Sequence, residues 1–147
     1  MADPIFRGLD GIEAVAAFTA GSQTVTFTGA RGVDGLSGDF DTVRVNASGT
    51  FRGGNDRINL IGADPSGTDL NEVYGDARIV SSTAGLTFVG GNDTLDASKA
   101  DFSNVAAMFG DIHTIAPGNR VTFHGGDDWL IGTNLGAGNL AQEWLVG

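Results

Sequence analysis

The sequence uses one short motif three times at nearly constant spacing. The motif starts at positions 53, 90 and 125 and reads Gly-Gly-Asn-Asp-Arg-Ile, Gly-Gly-Asn-Asp-Thr-Leu and Gly-Gly-Asp-Asp-Trp-Leu. A Gly-Asp pair stands 15 residues before each copy, at positions 38, 75 and 110. Two motifs that keep step over intervals of 37 and then 35 residues are typical of stacked repeating units rather than of one globular core.

The two motifs define the organisation of the chain. Residues 38–147 are interpreted as three tandem repeats, 38–74, 75–109 and 110–146. Residues 1–37 are interpreted as an N-terminal cap with a degenerate first repeat, because the segment 26–29 (Thr-Phe-Thr-Gly) resembles the Thr-Phe pair ahead of each double glycine. Gly147 stands where a fourth Gly-Asp pair would begin. The pattern therefore predicts that the repeats continue, either in a longer protein or in a neighbouring copy.

The segments between the glycine turns have the alternating polar and apolar pattern of half-buried strands. Each repeat is interpreted as four short strands joined by four corners, with two strands to a coil. The sequence thus predicts an all-β fold, a parallel β-solenoid with about two coils in each repeat of 35–37 residues. The expected inner columns are Phe51, Phe88 and Phe123, and Ile58, Leu95 and Leu130.

The N-terminal segment has a different pattern. Asp10 and Glu13, three residues apart, resemble a capping box ahead of an alanine-rich apolar run. This pattern predicts a short helix that ends at Gly21 and caps the solenoid. The same segment has neither the basic start nor the continuous apolar run of a secretory signal peptide.

The acidic residues are 15 Asp and only 3 Glu, and the net charge is −10. Asp is short enough to fold back on its own turn or to bind an ion there, so these carboxylates are assigned to turns. A surface this acidic argues against nucleic acid and anionic membranes as partners. No apolar run is long enough to span a bilayer, and the absence of cysteine excludes disulfides and thiolate metal sites. Cations are the partners that this composition favours.

The Gly-Gly motifs, with the two residues before them, resemble the nonapeptide of RTX calcium-binding proteins, G-G-x-G-x-D-x-U-x. The second glycine, the Asp and the apolar residue of each motif match its fourth, sixth and eighth positions. The resemblance implies a β-roll in which Asp56, Asp93 and Asp128 bind Ca²⁺ together with carbonyl oxygens of the same turns. The first two positions, usually glycine in that family, are Phe-Arg, Phe-Val and Phe-His here. We therefore expect fewer ions than in a fully regular β-roll.

Calcium prefers six to eight oxygen ligands, and glycine-rich turns can supply several of them from backbone carbonyls. The sites are expected at the Gly-Gly turns, with the Gly-Asp turns as further candidates. The alternative is that the Asn-Asp pairs simply form Asx-turns between strands, which requires no metal. The candidate ligands are Gly54, Asn55 and Asp56; Gly91, Asn92 and Asp93; Gly126, Asp127 and Asp128; and, in the Gly-Asp turns, Asp39, Asp41, Asp76 and Asp111.

The repeats do not bring a nucleophile, a base and an orienting group together, so we expect a protein without enzymatic activity. An enzyme would need a site on an irregular loop, such as Asp64 with Asp69 or Asp101. The favoured function is a calcium-stabilised structural module that assembles head to tail into a filament, surface layer or matrix. The alternative is an adhesive module of a larger secreted protein that binds glycan or ice.

Location is inferred from the resemblance alone. RTX-like proteins leave the cell without a cleaved N-terminal leader. The resemblance therefore implies export by such a route, to an extracellular or cell-surface location.

Overall fold

The computed structural model describes residues 12–13, 17–28, 35–45, 48–63, 72–101, 107–132 and 144–146. These residues form strands and no helix, so the prediction of an all-β fold is confirmed, and no helix in these ranges could cross a membrane. The strands are β1 (Ile12–Glu13), β2 (Ala17–Thr19), β3 (Thr24–Thr28), β4 (Gly35–Ser37), β5 (Phe40–Val45), β6 (Gly49–Arg52), β7 (Arg57–Ala63), β8 (Glu72–Tyr74), β9 (Ala77–Ser82), β10 (Leu86–Val89), β11 (Thr94–Asp101), β12 (Ala107–Phe109), β13 (Ile112–Ile115), β14 (Val121–His124), β15 (Trp129–Ile131) and β16 (Trp144–Val146).

The strands form four parallel sheets of four strands each. We name them sheet A (β1-β5-β9-β13), sheet B (β2-β6-β10-β14), sheet C (β3-β7-β11-β15) and sheet D (β4-β8-β12-β16). Each strand pairs with the strand four places along the chain, so β1–β4 form layer 1, β5–β8 layer 2, β9–β12 layer 3 and β13–β16 layer 4. Paired strands lie about 4.8 Å apart, and this stacking of parallel strands is compatible with a β-solenoid or β-roll.

The spacing of the strand pairs corrects the prediction of two coils per repeat. Phe51 pairs with Phe88 and Phe88 with Phe123, so paired residues are one whole repeat apart. Two coils per repeat would pair residues half a repeat apart, and that prediction is wrong for the described strands. The physical reason is which sheets the two glycine turns connect. The Gly-Asp turn joins sheet D to sheet A, the Gly-Gly turn joins sheet B to sheet C, and the two turns meet inside one layer instead of lying along one edge.

The N-terminal residues form layer 1 instead of a capping helix. Ile12–Glu13 and Ala17–Thr19 are strands that pair with β5 and β6, whereas Asp10 lies outside the described residues. Layer 2 offers a sheet edge to these two strands, and pairing with that edge overrides the helical propensity of their sequence. The degenerate copy is also displaced, because Phe18 pairs with Phe51 whereas Phe27 pairs with Leu60.

Two separate hydrophobic clusters fill the layers. Sheets A and B enclose a cluster that includes Phe40, Phe51 and Phe88, and the rings of Phe51 and Phe88 stack with centroids 4.9 Å apart. Sheets C and D enclose the second cluster. Its members are Leu36, Ile58, Leu60, Val73, Leu95, Ala97 and Met108. Both predicted inner columns are therefore confirmed in layers 2 and 3, whereas Phe123 in layer 4 is 39% exposed.

Candidate functional site

Two columns of aspartates lie where the corners of each layer meet, between the two hydrophobic clusters. The Asp39 column contains Asp39, Asp76 and Asp111 of the Gly-Asp turns, and the Asp56 column contains Asp56, Asp93 and Asp128 of the Gly-Gly turns. Asp76 is fully buried, and Asp39, Asp56 and Asp93 are 1–3% exposed. The sequence predicts these carboxylates at turns, and in the structure they point into the interior.

The Asp39 column ties the two corners of each layer together. The amide of Gly54 donates to Oδ2 of Asp39 over 2.7 Å, and the amide of Gly91 donates to Oδ2 of Asp76 over 3.0 Å. The same bond joins Gly126 to Asp111 in layer 4. The constant 15-residue spacing of the two motifs therefore has a physical cause, because each Gly-Asp carboxylate needs the second glycine of its own repeat.

The Asp56 column joins one layer to the next. Oδ1 of Asp56 accepts the amide of Gln23 over 2.7 Å, and Oδ1 of Asp93 accepts the amide of Asp56 over 2.6 Å. Oδ1 of Asp128 accepts the amide of Asp93 in the same way. Each carboxylate thus reaches back to the layer before it and uses one of its two oxygens.

Four carboxylate oxygens of the two columns are buried and lack a hydrogen-bond partner. These atoms are Oδ1 of Asp39 and Oδ2 of Asp56, Asp93 and Asp128. Backbone carbonyl oxygens share their space. A Cβ atom at Gly75 would collide with Oδ2 of Asp93 and with the carbonyl oxygen of Gly110, so only glycine fits there. The turns therefore bring carboxylate oxygens and backbone carbonyl oxygens together in a small buried volume.

Burial raises the pKa of these carboxyls. It raises the pKa of Asp56 to about 7, with the charge of Asp39 adding to the effect. It raises the pKa of Asp93 to about 8, with the charges of Asp56 and Asp128 adding. Burial is also the largest cause of the raised pKa values of the other four aspartates of the two columns. Ionising both columns at neutral pH is therefore unfavourable unless a cation compensates the charge.

The donor atoms suit a hard cation, because all of them are oxygens. In each of layers 2, 3 and 4, the two carboxylates of one pair repel each other. The pairs are Asp39 with Asp56, Asp76 with Asp93, and Asp111 with Asp128. No group of three or more His, Cys, Asp or Glu side chains that could hold a metal ion occurs among the described residues. A cation between the columns would thus take two carboxylates from one layer and complete its ligands with glycine carbonyls and water.

The Asn residues of the predicted sites lie elsewhere. Oδ1 of Asn55 accepts the amide of Asn92 over 2.9 Å, and Oδ1 of Asn92 accepts the amide of Asp127 over 2.9 Å. Ser22 starts this ladder by accepting the amide of Asn55. All of these side chains are exposed, so the structure gives them an interlayer role that needs no metal.

Asp41 is also separate from the two columns. Its carboxylate forms two hydrogen bonds with the guanidinium of Arg78, at 2.7 and 2.8 Å. This ion pair links layers 2 and 3 on the outside of sheet A. Of the residues proposed for an enzyme, Asp64 and Asp69 lie outside the described residues, and Asp101 ends β11.

Sequence reasoning missed a polar and aromatic cluster outside the repeat motifs. The hydroxyl of Tyr74 donates to the carboxylate of Glu72, and the ring of His113 stacks against Tyr74 with centroids 5.8 Å apart. Nδ1 of His113 lies 3.9 Å from the same carboxylate. These residues come from sheets D and A, so only the strand register could have indicated their proximity.

Comparisons of the chain with known protein families, with curated proteins and with solved structures found no match.

Proposed function

We propose that this chain is an extracellular structural module, a parallel β-solenoid with one circuit per repeat that calcium stabilises. The observation that carries the proposal is the set of unpartnered, buried carboxylate oxygens in the two aspartate columns. The RTX-like motifs supplied the expectation of calcium. The geometry adds support through oxygen atoms that have no other partner.

A buried ionised carboxylate costs several kcal/mol unless it is paired, and two such groups in one layer also repel each other. A divalent cation removes both costs at once. In layer 2, Oδ1 of Asp39 and Oδ2 of Asp56 are the oxygens free to bind it. Calcium suits this setting because it accepts carboxylate, carbonyl and water oxygens in irregular geometries.

The small number of carboxylates at each position also supports the proposed location. Extracellular calcium modules bind with dissociation constants of about 10⁻⁴ to 10⁻³ M. With affinities in this range, the chain would become ordered only where calcium is abundant. We therefore propose export in an unfolded state, followed by folding outside the cell.

A calcium titration of the chelator-treated chain tests the proposal. Far-UV circular dichroism should show β-structure increasing with calcium, and the thermal unfolding midpoint should rise. Asp93→Asn should lower the calcium affinity about tenfold or more, because it removes one ligand charge while retaining a hydrogen-bond acceptor. Asp96→Asn is the matched control, because Asp96 is only partly buried and its carboxylate is bonded to Ser98. The proposed function would be refuted if calcium changed neither the circular dichroism spectrum nor the thermal unfolding midpoint.

A second candidate function is glycan binding on sheet C. A groove of about 190 Å³ on this sheet contains the polar side chains of Arg57, Asn59, Asp96 and Lys99. Trp129, which is 70% exposed, stands two strands from Arg57 in the same register. Charged and amide groups beside an exposed aromatic ring suit sugar hydroxyls and a sugar face. Trp129→Ala should then abolish binding on a glycan array without changing the calcium response.

Ice binding has less support. Thr50, Thr87 and Thr122 do stand in register on sheet B, but Thr26 pairs with Asn59 on sheet C and is not part of that column. Among the described residues, the threonine column is therefore one residue wide and three strands long.

A further inference from the structure

Layer 4 exposes side chains whose counterparts in the preceding layers are buried. Phe123 is 39% exposed, whereas its counterpart Phe88 is fully buried. Ile115 is 40% exposed, and its counterpart Val80 is fully buried. The two residues belong to the A and B hydrophobic cluster by position, so layer 4 presents an apolar cross-section of that core. Apolar surface of this kind marks an interaction site.

Two polar groups of layer 4 occupy the positions that form hydrogen bonds to the following layer elsewhere in the molecule. In the preceding layers the amides of Gln23, Asp56 and Asp93 each donate to an aspartate of the next layer. The equivalent amide in layer 4 belongs to Asp128. Asp127 occupies the position at which Asn55 and Asn92 accept an amide from the following layer. One donor and one acceptor therefore lie at fixed positions beside the apolar surface.

Layer 1 presents the complementary surface at the opposite end. Phe18 stacks on Phe51 with centroids 5.5 Å apart, and its other side is partly exposed. Val25 is likewise partly exposed, although its partner Ile58 is buried. At the positions where later layers carry Asn and Asp, layer 1 carries the neutral residues Ser22 and Gln23.

We propose that layer 4 of one molecule binds layer 1 of a second copy, in the register that joins the layers within the chain. Phe18 of the second copy would cover Phe123, Ser22 would lie over Asp127, and Gln23 over Asp128. The inference rests on the structural module proposed above and names its partner. Because the two surfaces differ, the contact is head to tail and does not close, so it propagates into a filament.

Charge and hydrogen bonding favour a second copy over an unrelated partner. The amide of Ser22 can donate to the carboxylate of Asp127. The side-chain oxygen of Gln23 can accept the amide of Asp128 once its Nε2 leaves the carbonyl oxygen of Gly38, to which it donates over 3.2 Å within the molecule. A neutral Gln23 also avoids placing a further carboxylate next to two acidic residues. These bonds require parallel strands and the same turn positions, which a second copy supplies.

Engineered disulfides test both the contact and its register, since the chain has no cysteine. Thr19 and His124 are exposed members of one column on sheet B, linked through Arg52 and Val89. In the proposed register, Thr19 of the second copy lies about 4.8 Å from His124, within disulfide reach. The double variant Thr19→Cys with His124→Cys should therefore form covalent dimers, trimers and higher multimers under mild oxidation in calcium.

The matched control pairs Thr19→Cys with Thr122→Cys. Thr122 is exposed on the same strand, but its Cα would lie about 8 Å from that of Thr19 in the second copy, beyond disulfide reach. The control should remain largely monomeric on a non-reducing gel. Equal multimer formation by both variants would overturn the register, and products that stop at the dimer would indicate contact between two layer 4 surfaces instead.

Sedimentation of the cysteine-free chain supplies an independent readout. Ile115→Lys should reduce the assembly to monomers, because it places a charge on the apolar surface, whereas His124→Lys on the outward face should leave the assembly intact. Both variants should keep the wild-type circular dichroism spectrum in calcium. A folded, calcium-responsive chain that stays monomeric at high concentration would overturn the filament and leave the proposed calcium role standing.

Discussion

Layers 3 and 4 carry the same motifs and differ in what covers them. Phe88 in layer 3 is fully buried between Phe51 and Phe123, whereas Phe123 has an aromatic neighbour on one side and is 39% exposed. Asp93 and Asp128 differ in the same direction, since Asp93 is buried and Asp128 only partly so. A repeat motif therefore determines position in a layer, and the neighbouring layers determine burial. Stability in such an array resides largely in the interfaces between layers.

Truncating equivalent phenylalanines should have unequal effects. Phe88→Ala should lower the free energy of unfolding by about 3–5 kcal/mol, the usual cost of emptying a buried aromatic site. Phe123→Ala should cost about 1–2 kcal/mol, because much of its ring is already in contact with solvent. Urea unfolding of both variants, at one calcium concentration and at a protein concentration where the chain is monomeric, provides the comparison. Equal losses under these conditions would mean that another part of the molecule covers layer 4 in solution.

Equivalent glycines in layers 1 and 3 should respond differently to a methyl group. A Cβ atom at Gly91 would collide with the carbonyl oxygen of Gly54, so Gly91→Ala should destabilise the fold by about 1–3 kcal/mol. Gly21 occupies the same position in layer 1, and a Cβ atom there meets nothing within 4 Å. Gly21→Ala should therefore be nearly neutral. Thermal unfolding midpoints measure both, and a large loss at Gly21 would contradict the open position.

The metal-free chain should lose stability as pH rises. The folded-state pKa of Asp93, about 8, lies above the ordinary value of 3.8, so the folded state holds protons that the unfolded state releases. This contribution is complete below about pH 4 and is lost as pH rises through about 8. In chelator, far-UV circular dichroism should therefore show more β-structure at pH 5, where the buried carboxyls keep their protons, than at pH 8.

Asparagine variants compare the layers in the same experiment. Asp93→Asn should remove more of the pH dependence than Asp128→Asn, because Asp93 is the more deeply buried. Saturating calcium should weaken or reverse the dependence, since it binds the ionised carboxylates. Stability that rises with pH in chelator would show that the columns are ionised and compensated without metal.

The smallest effect is expected at the interlayer ion pair on the surface. The side chains of Arg78 and Asp41 are 42% and 31% exposed, so solvent screens their attraction. Arg78→Ala should change the free energy of unfolding by about 0–1 kcal/mol. A loss as large as that of Phe88→Ala in the same urea experiment would mean that surface pairs, rather than the apolar interfaces, hold layers 2 and 3 together.

The sequence alone predicted the strand content, the inner columns and the grouping of the aspartates. These features follow from the periodic motifs, because residues that recur at the same place in each repeat occupy equivalent places in the folded layers. The size of the circuit could not be predicted, because a turn motif indicates that the chain bends and not which turn it meets. Pairing Gly54 with Asp39 across one layer required the strand register.

The prediction of a helix in the N-terminal region was wrong for a related reason. The segment has helical propensity when it is considered alone, whereas the strand edge with which Ile12–Glu13 and Ala17–Thr19 pair belongs to layer 2. In a degenerate repeat, backbone hydrogen bonds fix the register of the strands, and few side chains reveal that register in the sequence. The sequence therefore indicates Phe27 as the counterpart of Phe51, because Phe27 follows a threonine as Phe51 does, whereas Phe18 is the residue that pairs with Phe51.

The opposing directions of the two interlayer ladders have a consequence for how such a chain can change in length. Aspartates of the Asp56 column reach back to the preceding layer, whereas Ser22 and the Asn residues accept from the following one. A duplicated repeat inserted between layers 2 and 3 would meet the partners that it needs on both sides and would lengthen the stack by about 4.8 Å. Tandem duplication would thus give a series of proteins graded in reach, each with one more pair of carboxylates and no new exposed end.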